Sequence, residues 1–336
     1  MGLWHISTDT LADSRFVISP LAETTACLKV LETGAAQHPG ERAWLDAHLP
    51  AYRERLAADP LTARTIKAAF GPTWNADYLT RPPDPEGRLS FEEELAEIRQ
   101  TPPEAVRADL TVSLGGPLPP ELDRDDLPER TADLLRWVWT RTVQPSWERR
   151  RRILEADIAA RTAQLGRAGW SAALDGLRPG MRWLGDGRLR INAFDYPPRQ
   201  LDGTQLLFVP VTLKAGWVAW RADHTRHALV YACSGALAEA GRAHVPDSLG
   251  ALLGPARARV LVLLDTPKST SQLVALTAQG LGSVGRHLKV LLDAGLAVRR
   301  RSGRSVLYFR SAAGEVLVNA AAGDAEGPKR RSGEGF

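Results

Sequence analysis

The stretch from Leu249 to Arg310 constrains this chain most, because its hydrophobic period changes from helical to strand-like directly behind a glycine stop. Leu249–Leu264 reads as one helix with Leu252, Leu253, Val260, Leu261, Leu263 and Leu264 as its apolar set, and Pro267 ends it. Ser269 or Thr270 is placed to cap a second short helix, SQLVALTA. A turn at Gln279-Gly280 leads into a third, Gly282–Asp293, which Gly295 closes in the position of a helix C-cap. Two short strands follow, Leu296–Arg301 and Ser305–Arg310, joined by Ser302-Gly303-Arg304.

The order helix, helix, turn, helix, hairpin within about 62 residues predicts a winged helix-turn-helix. In such a module the third helix enters the major groove and the hairpin tip lies along backbone or minor groove. Arg286 and Lys289, three apart, share a face of the third helix. Arg299, Arg300, Arg301 and Arg304 crowd the hairpin, and arginine suits both phosphate contacts and insertion into a narrow minor groove. A small core-packing module with a solvated basic hairpin is the alternative reading of the same residues.

Charge is spread unevenly along the 336 residues, whose net charge is +4. Residues 1–140 carry 14 Lys or Arg against 23 Asp or Glu, residues 141–247 carry 16 against 10, and residues 248–336 carry 13 against 6. A basic C-terminal segment behind an acidic N-terminal one fits a nucleic-acid reader carried on a different body. An arginine-rich composition throughout would produce part of the same gradient. Apolar residues make up 44%, enough for a sizeable core, and the length predicts about two domains. The expected fold class is α+β. A first region over 1–247 is helical over 1–175 with a small antiparallel sheet over 180–232. The winged helix-turn-helix over 248–318 and a disordered tail over 319–336 follow.

Two cysteines, Cys27 and Cys233, are too few for a disulfide scaffold and predict a reducing, cytoplasmic setting. The opening MGLWHISTDTLADSRF has no basic region followed by an apolar core, and no apolar run is long enough to span a bilayer. Neither a secretory leader nor a membrane is expected.

The acidic part reads as helices over Leu21–Leu31, Glu41–Ala58, Leu61–Phe70 and Phe91–Gln100, with Pro50 expected to bend or divide the second. Another helix starts at Pro128 and is interrupted by Pro145. A long one then runs from Trp147 to about Leu165, with Arg149–Arg152 at its start. Those four arginines read as a solvated face that pairs with the acidic first half, with DNA contact as the alternative. After Gly169 the pattern turns to strands. Met181–Leu184 and Leu189–Ile191 flank GDG, Leu206–Leu213 and Trp217–Trp220 flank Lys214-Ala215-Gly216, and Ala228–Ala232 adds a third apolar run. Both flanked pairs read as hairpins of one sheet. Trp183, Phe208, Trp217, Trp220 and Tyr231 read as packing aromatics, with a ligand cleft as the alternative. Trp137, Trp139, Trp147, Trp170 and Trp183 are the candidates to line an apolar cavity between helices and sheet, with two adjoining cores built from them as the alternative.

The segment LGPARARVLVLLDTPKSTSQLVALTAQGLGSVGRHLKVLLDAGLAVRRRSGRSVLYFR resembles the ArsR-like winged-helix transcriptional regulators of bacteria. Its His-Leu, its Leu-x-x-Leu spacing, its Ala-Gly-Leu end and its Arg-x-Gly-Arg-x-x-x-Tyr wing carry most of the likeness. DTLADSRFVISPLAETTACLKVL and WERRRRILEADIAARTAQLG are similar to the N-terminal domain, of uncharacterised function, on actinobacterial members of that group. The resemblance implies a homodimeric repressor that reads an inverted repeat in double-stranded DNA. Dimer contacts would come from around Leu249–Leu253 and from the stretch after Ser311. Ser283, Val284, Gly285, Arg286 and Lys289 look like the start and exposed face of the recognition helix. Thr270, Ser271 and Gln272 on the second helix, and Arg299, Arg301 and Arg304 on the wing, complete the expected DNA contacts. Relatives commonly carry Ser where this chain has Gly285, which removes a hydroxyl and weakens the helix by about 0.5–1 kcal/mol relative to alanine. His287 falls on the core side and is expected to pack or hydrogen-bond.

Metal-sensing members of that family use thiolates near the recognition helix or His and Asp pairs on a flanking helix; the third helix here has no cysteine. Asp223, His224 and His227, in ADHTRH, form the one close cluster of ligating residue types and read as a solvated turn. No phosphate-cradling glycine loop, nucleophile elbow or acid–base pair stands out, so no enzyme, metal or cofactor is expected. The region ahead of the DNA reader has room for a small-molecule effector. A protein-interaction module that keeps the winged helix as a scaffold is the alternative function.

Overall fold

Leu3–His5 (β1) and Arg15–Phe16 (β2), separated by the short helix Thr8–Ala12 (α1), enter two different sheets. The computed structural model describes residues 2–36, 39–174, 177–192, 197–233, 245–264, 268–277, 279–302 and 305–323. The fold is mixed α+β, in two units, Met1–Leu237 and Ala238–Phe336. No helix among the described residues is long and apolar enough to cross a membrane.

Helices dominate the first unit up to its sheets. Pro20–Thr33 (α2) starts where the Ser19 side chain accepts from the Ala22 N–H, and it stops at Gly34 in a left-handed conformation. Pro39–Ala57 (α3) runs through Pro50 as one helix, so the proline does not divide it. The proline removes one backbone donor, but Leu45 and Tyr52 on either side of it are both buried, and their packing outweighs that loss. Pro60–Ala69 (α4), Phe91–Arg99 (α5), Pro103–Leu114 (α6) and Leu127–Val138 (α7) follow. A reciprocal cap between Ser90 and Glu93 fixes the start of α5. A π-turn at Trp139–Val143 and a 3-10 turn at Gln144–Ser146 carry the chain past Pro145 into Trp147–Leu174 (α8). That helix exceeds the expected end near Leu165, with non-helical geometry at Gly169.

The four arginines at the start of α8 do not form one solvated face. Arg151 and Arg152 are exposed, whereas Arg150 is fully buried and bonded to Glu23 and Thr212.

The strands also depart from a single antiparallel sheet. Arg182–Gly185 (β3) and Arg188–Arg190 (β4) form the expected hairpin, turning through Asp186 and Gly187 at positive φ. Their sheet has the order β3-β4-β1-β5, where Arg199–Gln200 (β5) lies parallel to β1. In the second sheet Gln205–Val211 (β6) does not pair with Trp217–Trp220 (β7). Both flank Arg226–Ala232 (β8), β6 parallel to it from Gln205↔Arg226 to Val211↔Ala232 and β7 antiparallel, in the order β2-β6-β8-β7. The reason is two-sided burial. Leu207, Val209, Val211 and Val230 face the helical core with Leu28, Leu45, Ile66, Leu95 and Leu135. Leu206, Phe208, Leu229 and Tyr231 face a second core with Trp4, Leu189 and Ile191. A strand buried on both faces suits a parallel neighbour at the centre of a sheet.

The five tryptophans build two adjoining cores and do not line one cavity. Trp137, Trp139 and Trp147 belong to the helical core, where Trp139 stacks on Phe91 at 4.5 Å between ring centroids. Trp170 and Trp183 pack on the second core. A cavity of the first unit is lined by Trp4, Trp74, Trp217 and Trp220.

In the second unit the expected helix Leu249–Leu264 is two, Asp247–Leu253 (α9) and Pro255–Leu263 (α10). Gly254, at φ 82° and ψ 141°, breaks it, and Pro255, lacking a donor, starts a helix more readily than it continues one. Lys268–Ser269 (β9), Thr270–Thr277 (α11), Leu281–Asp293 (α12), Ala297–Ser302 (β10) and Ser305–Arg310 (β11) come next. The strands are ordered β10-β11-β9, all antiparallel. A last helix, Ala312–Gly323 (α13), extends past residue 318, where the tail was expected to begin; residues 324–336 lie outside the described residues.

Candidate nucleic-acid interface

Helix α12 is two-sided. Val284, Leu288 and Leu291, at helical spacing, are buried, while Gly282, Gly285, Arg286 and Lys289 are exposed. Val284, expected among the DNA contacts, is therefore a core residue with no exposed surface. Ser283 is half-buried, and its hydroxyl donates to Gln279 Oε1 at 3.1 Å and lies 3.3 Å from His287 Nε2. Because the hydroxyl proton is given to Gln279, His287 Nε2–H is the donor to Ser283. Burial, with Arg257 and Arg286 nearby, holds the His287 pKa below its ordinary value, which favours the neutral ring.

At the start of α11 the cap is Ser269, not Thr270. The Gln272 N–H donates to Ser269 Oγ at 3.2 Å, and the Ser269 N–H donates to Gln272 Oε1 at 2.8 Å. The Gln272 carboxamide oxygen is thus engaged inside the protein, and only its NH₂ remains to reach outward. Thr270 is half-buried at the same helix end, and the Ser271 side chain lies outside the described residues.

Across the hairpin Arg299 is opposite Tyr308, Arg300 opposite Leu307 and Arg301 opposite Val306. Arg299 and Arg300 are exposed on alternate faces, and the Arg300 guanidinium lies 5.8 Å from the Phe309 ring centroid. The Arg301 side chain and all of Arg304 lie outside the described residues. Gly285, Lys289 and Asp293 of α12 and Arg299 and Tyr308 of the hairpin line one cleft of about 380 Å³. The missing side chain at Gly285 helps to open it, since nothing stands within 4 Å of where a Cβ would be. Lys289 pairs with Asp293 at 2.9 Å in an exposed ion pair, which is weak and exchangeable for a phosphate.

Arg310 contributes to the basic charge of the module but not to its surface. Its guanidinium donates to the carbonyls of Leu261 and Val262 at 3.2 and 2.7 Å and pairs with Glu315, anchoring the end of α10. Leu252 and Val316, on the packed helices α9 and α13, are 66% and 69% exposed, a large apolar exposure that spacing alone does not reveal.

Among the described residues no group of three His, Cys, Asp or Glu side chains is placed to hold a metal ion. No protein-family description, curated protein or solved structure matches this chain.

Proposed function

We propose that the chain is a DNA-binding transcriptional regulator of the ArsR-like winged helix-turn-helix kind, a cytoplasmic repressor that reads an inverted repeat as a homodimer. The observation that carries this reading is the cleft where Gly285 and Lys289 of α12 face Arg299 of the hairpin, with Arg286 exposed on the same helix. A helix with a short-side-chain, cationic outer face suits the major groove, and an arginine-bearing hairpin beside it suits the flanking backbone. The exposed Leu252 and Val316 support a dimer through α9 and α13, because association would remove both from water. Cys27 and Cys233, both free and buried, accord with a reducing compartment.

The test is a fluorescence-polarisation titration of the purified protein against the DNA upstream of its own gene, with a scrambled duplex as competitor. Nanomolar binding that survives the competitor supports a sequence-specific regulator. Equal, salt-erased binding to both duplexes rejects sequence readout and favours a protein partner for the same face.

A further inference from the structure

The first unit holds a cavity of about 420 Å³, open to solvent on one side, whose described lining carries Lys29, Arg178 and Arg199 against Asp77. Lys29 of α2 reaches it with its Nζ donating to Asn75 Oδ1 at 3.2 Å and lying 5.8 Å from the Phe70 ring centroid. Arg178 donates through Nη2 to the Gly216 carbonyl at 3.4 Å, while its buried Nη1 has no hydrogen-bond partner. The Arg199 guanidinium sits 3.9 Å from the Trp220 ring centroid. Among the described residues, no carboxylate forms an ion pair with Lys29 or Arg178.

Among the described lining residues the one acid, Asp77, does not redress this. Its carboxylate accepts from the indoles of Trp74 and Trp220, and burial together with Asp109 pushes its pKa up to about 7, so it carries only part of a charge near neutrality. Burial and the neighbouring Arg178 push the Lys29 pKa down to about 8, and burial alone brings Arg178 down to about 10. Cations withdrawn from water with no carboxylate among the described residues paired to them are costly. The walls supply the remaining chemistry. Trp217 is 3% exposed, its indole N–H is unpartnered, and it lines the cavity together with Trp220. Indole faces suit a flat apolar body, and their N–H groups donate to an acceptor atom.

We propose that this cavity binds a small organic anion, an acid group on a flat apolar body, with the acid paired to Arg178 and Lys29 and the body against Trp217 and Trp220. A bare inorganic anion would leave the indole walls unused, and a neutral aromatic would leave the cations unpaired. The site stands independently of the DNA-binding reading, because every residue it needs belongs to the first unit and its test uses no DNA.

The probe is naphthalene-1-sulfonate, titrated calorimetrically into the full-length protein, with naphthalene-1-methanol and inorganic sulfate as controls. The expected result is one saturable site for the sulfonate, with each control weaker by about tenfold or more. Lys29→Met and Arg178→Met each weaken the sulfonate by about tenfold while leaving the unliganded Tm unchanged or higher, since each removes a half-buried charge that no described carboxylate pairs. Equal binding of sulfonate and alcohol overturns the proposal, as does a sulfonate affinity that both variants leave intact. A fall in unliganded Tm in both variants overturns it too, because it would show that the two cations are held for structure.

Discussion

The guanidinium of Arg150 and the carboxylate of Glu23 are paired inside the first unit, with side-chain exposures of 1% and 0%. Glu23 also accepts from the Thr212 N–H at 2.8 Å, and Arg150 donates to the Thr142 carbonyl at 3.2 Å and to Ser146 Oγ at 3.0 Å. The pair thereby joins α2, the start of α8 and the residue after β6. Removing one partner strands the other as an unpaired buried charge. Glu23→Leu is expected to cost about 3–5 kcal/mol. The double variant Glu23→Leu, Arg150→Met is expected to be much closer to wild type than the sum of the singles. Urea unfolding of the four proteins of this cycle measures the coupling directly.

Glu94 gives a pH dependence whose sign is fixed by its surroundings. Its Oε2 accepts from Ser19 Oγ at 3.0 Å and from the Leu21 N–H at 2.8 Å, but burial dominates and pushes its pKa up to about 7. The folded chain therefore holds that proton more tightly than the unfolded chain, so Glu94 contributes most below its ordinary pKa of 4.5 and loses that contribution as pH rises through 7. His227 works the opposite way: burial, with Arg199 and His224, lowers it to about 4, and its contribution is lost as pH falls below 6.5. The two slopes oppose each other, so the informative quantity is a difference between proteins. Relative to wild type, Glu94→Gln should gain up to about 3 kcal/mol between pH 4.5 and pH 8. A stability difference that stays constant from pH 5 to pH 8 would refute the assignment.

Two glycines of the second unit should respond in opposite directions to the same change. A Cβ at Gly285 meets nothing within 4 Å, so Gly285→Ala is expected to stabilise α12 by about 0.5–1 kcal/mol. A Cβ at Gly314 would fall 2.1 Å from the Leu296 carbonyl oxygen, where α13 crosses the turn after α12. Gly314→Ala is expected to destabilise by about 1–3 kcal/mol. Thermal unfolding of the two variants checks both signs.

Arg299 and Arg310 separate surface charge from anchoring charge. If the cleft beside α12 meets DNA, Arg299→Ala leaves Tm unchanged and reduces the slope of log affinity against log salt by about 1. Arg310→Ala should lower Tm, because it releases the Leu261 and Val262 carbonyls, and should leave that slope unaltered. Unfolding curves and binding titrations at three salt concentrations test the contrast.

Much of the second unit was legible because its signals are local. The Gly295 stop, the change of period behind it and the short connection after Ser302 placed β11 to the residue and α12 to within one. The break at Gly254 could have been read too, since a glycine followed by proline marks a helix boundary. Burial of Arg150 was also within reach. It lies three and four positions before Ile153 and Leu154, on the stripe that continues to Asp157 and Arg161, and all five side chains are buried. The β6–β8 pairing was harder, because the short link Lys214-Ala215-Gly216 imitates a hairpin turn. The contrary signal was the unbroken apolar run LLFVPV, which marks a strand covered on both faces. For the cavity the sequence offers only Trp217 and Trp220, as a ligand cleft that is the alternative to core packing. Lys29, Asp77, Arg178 and Trp217 come from four distant segments, and no spacing rule brings them together.

The pairing of Leu3 with Arg190 and of Phe16 with Phe208 has a consequence for synthesis. On a ribosome that adds 5–20 residues per second, β1 and β2 wait roughly 10–40 s for partners that have not yet been translated. Through that interval Trp4, Ile6 and Leu11 of the second core have no strand to rest against. The nascent chain therefore emerges with these apolar residues uncovered, and chaperone capture of stalled intermediates should concentrate on the segment from Leu3 to Phe16.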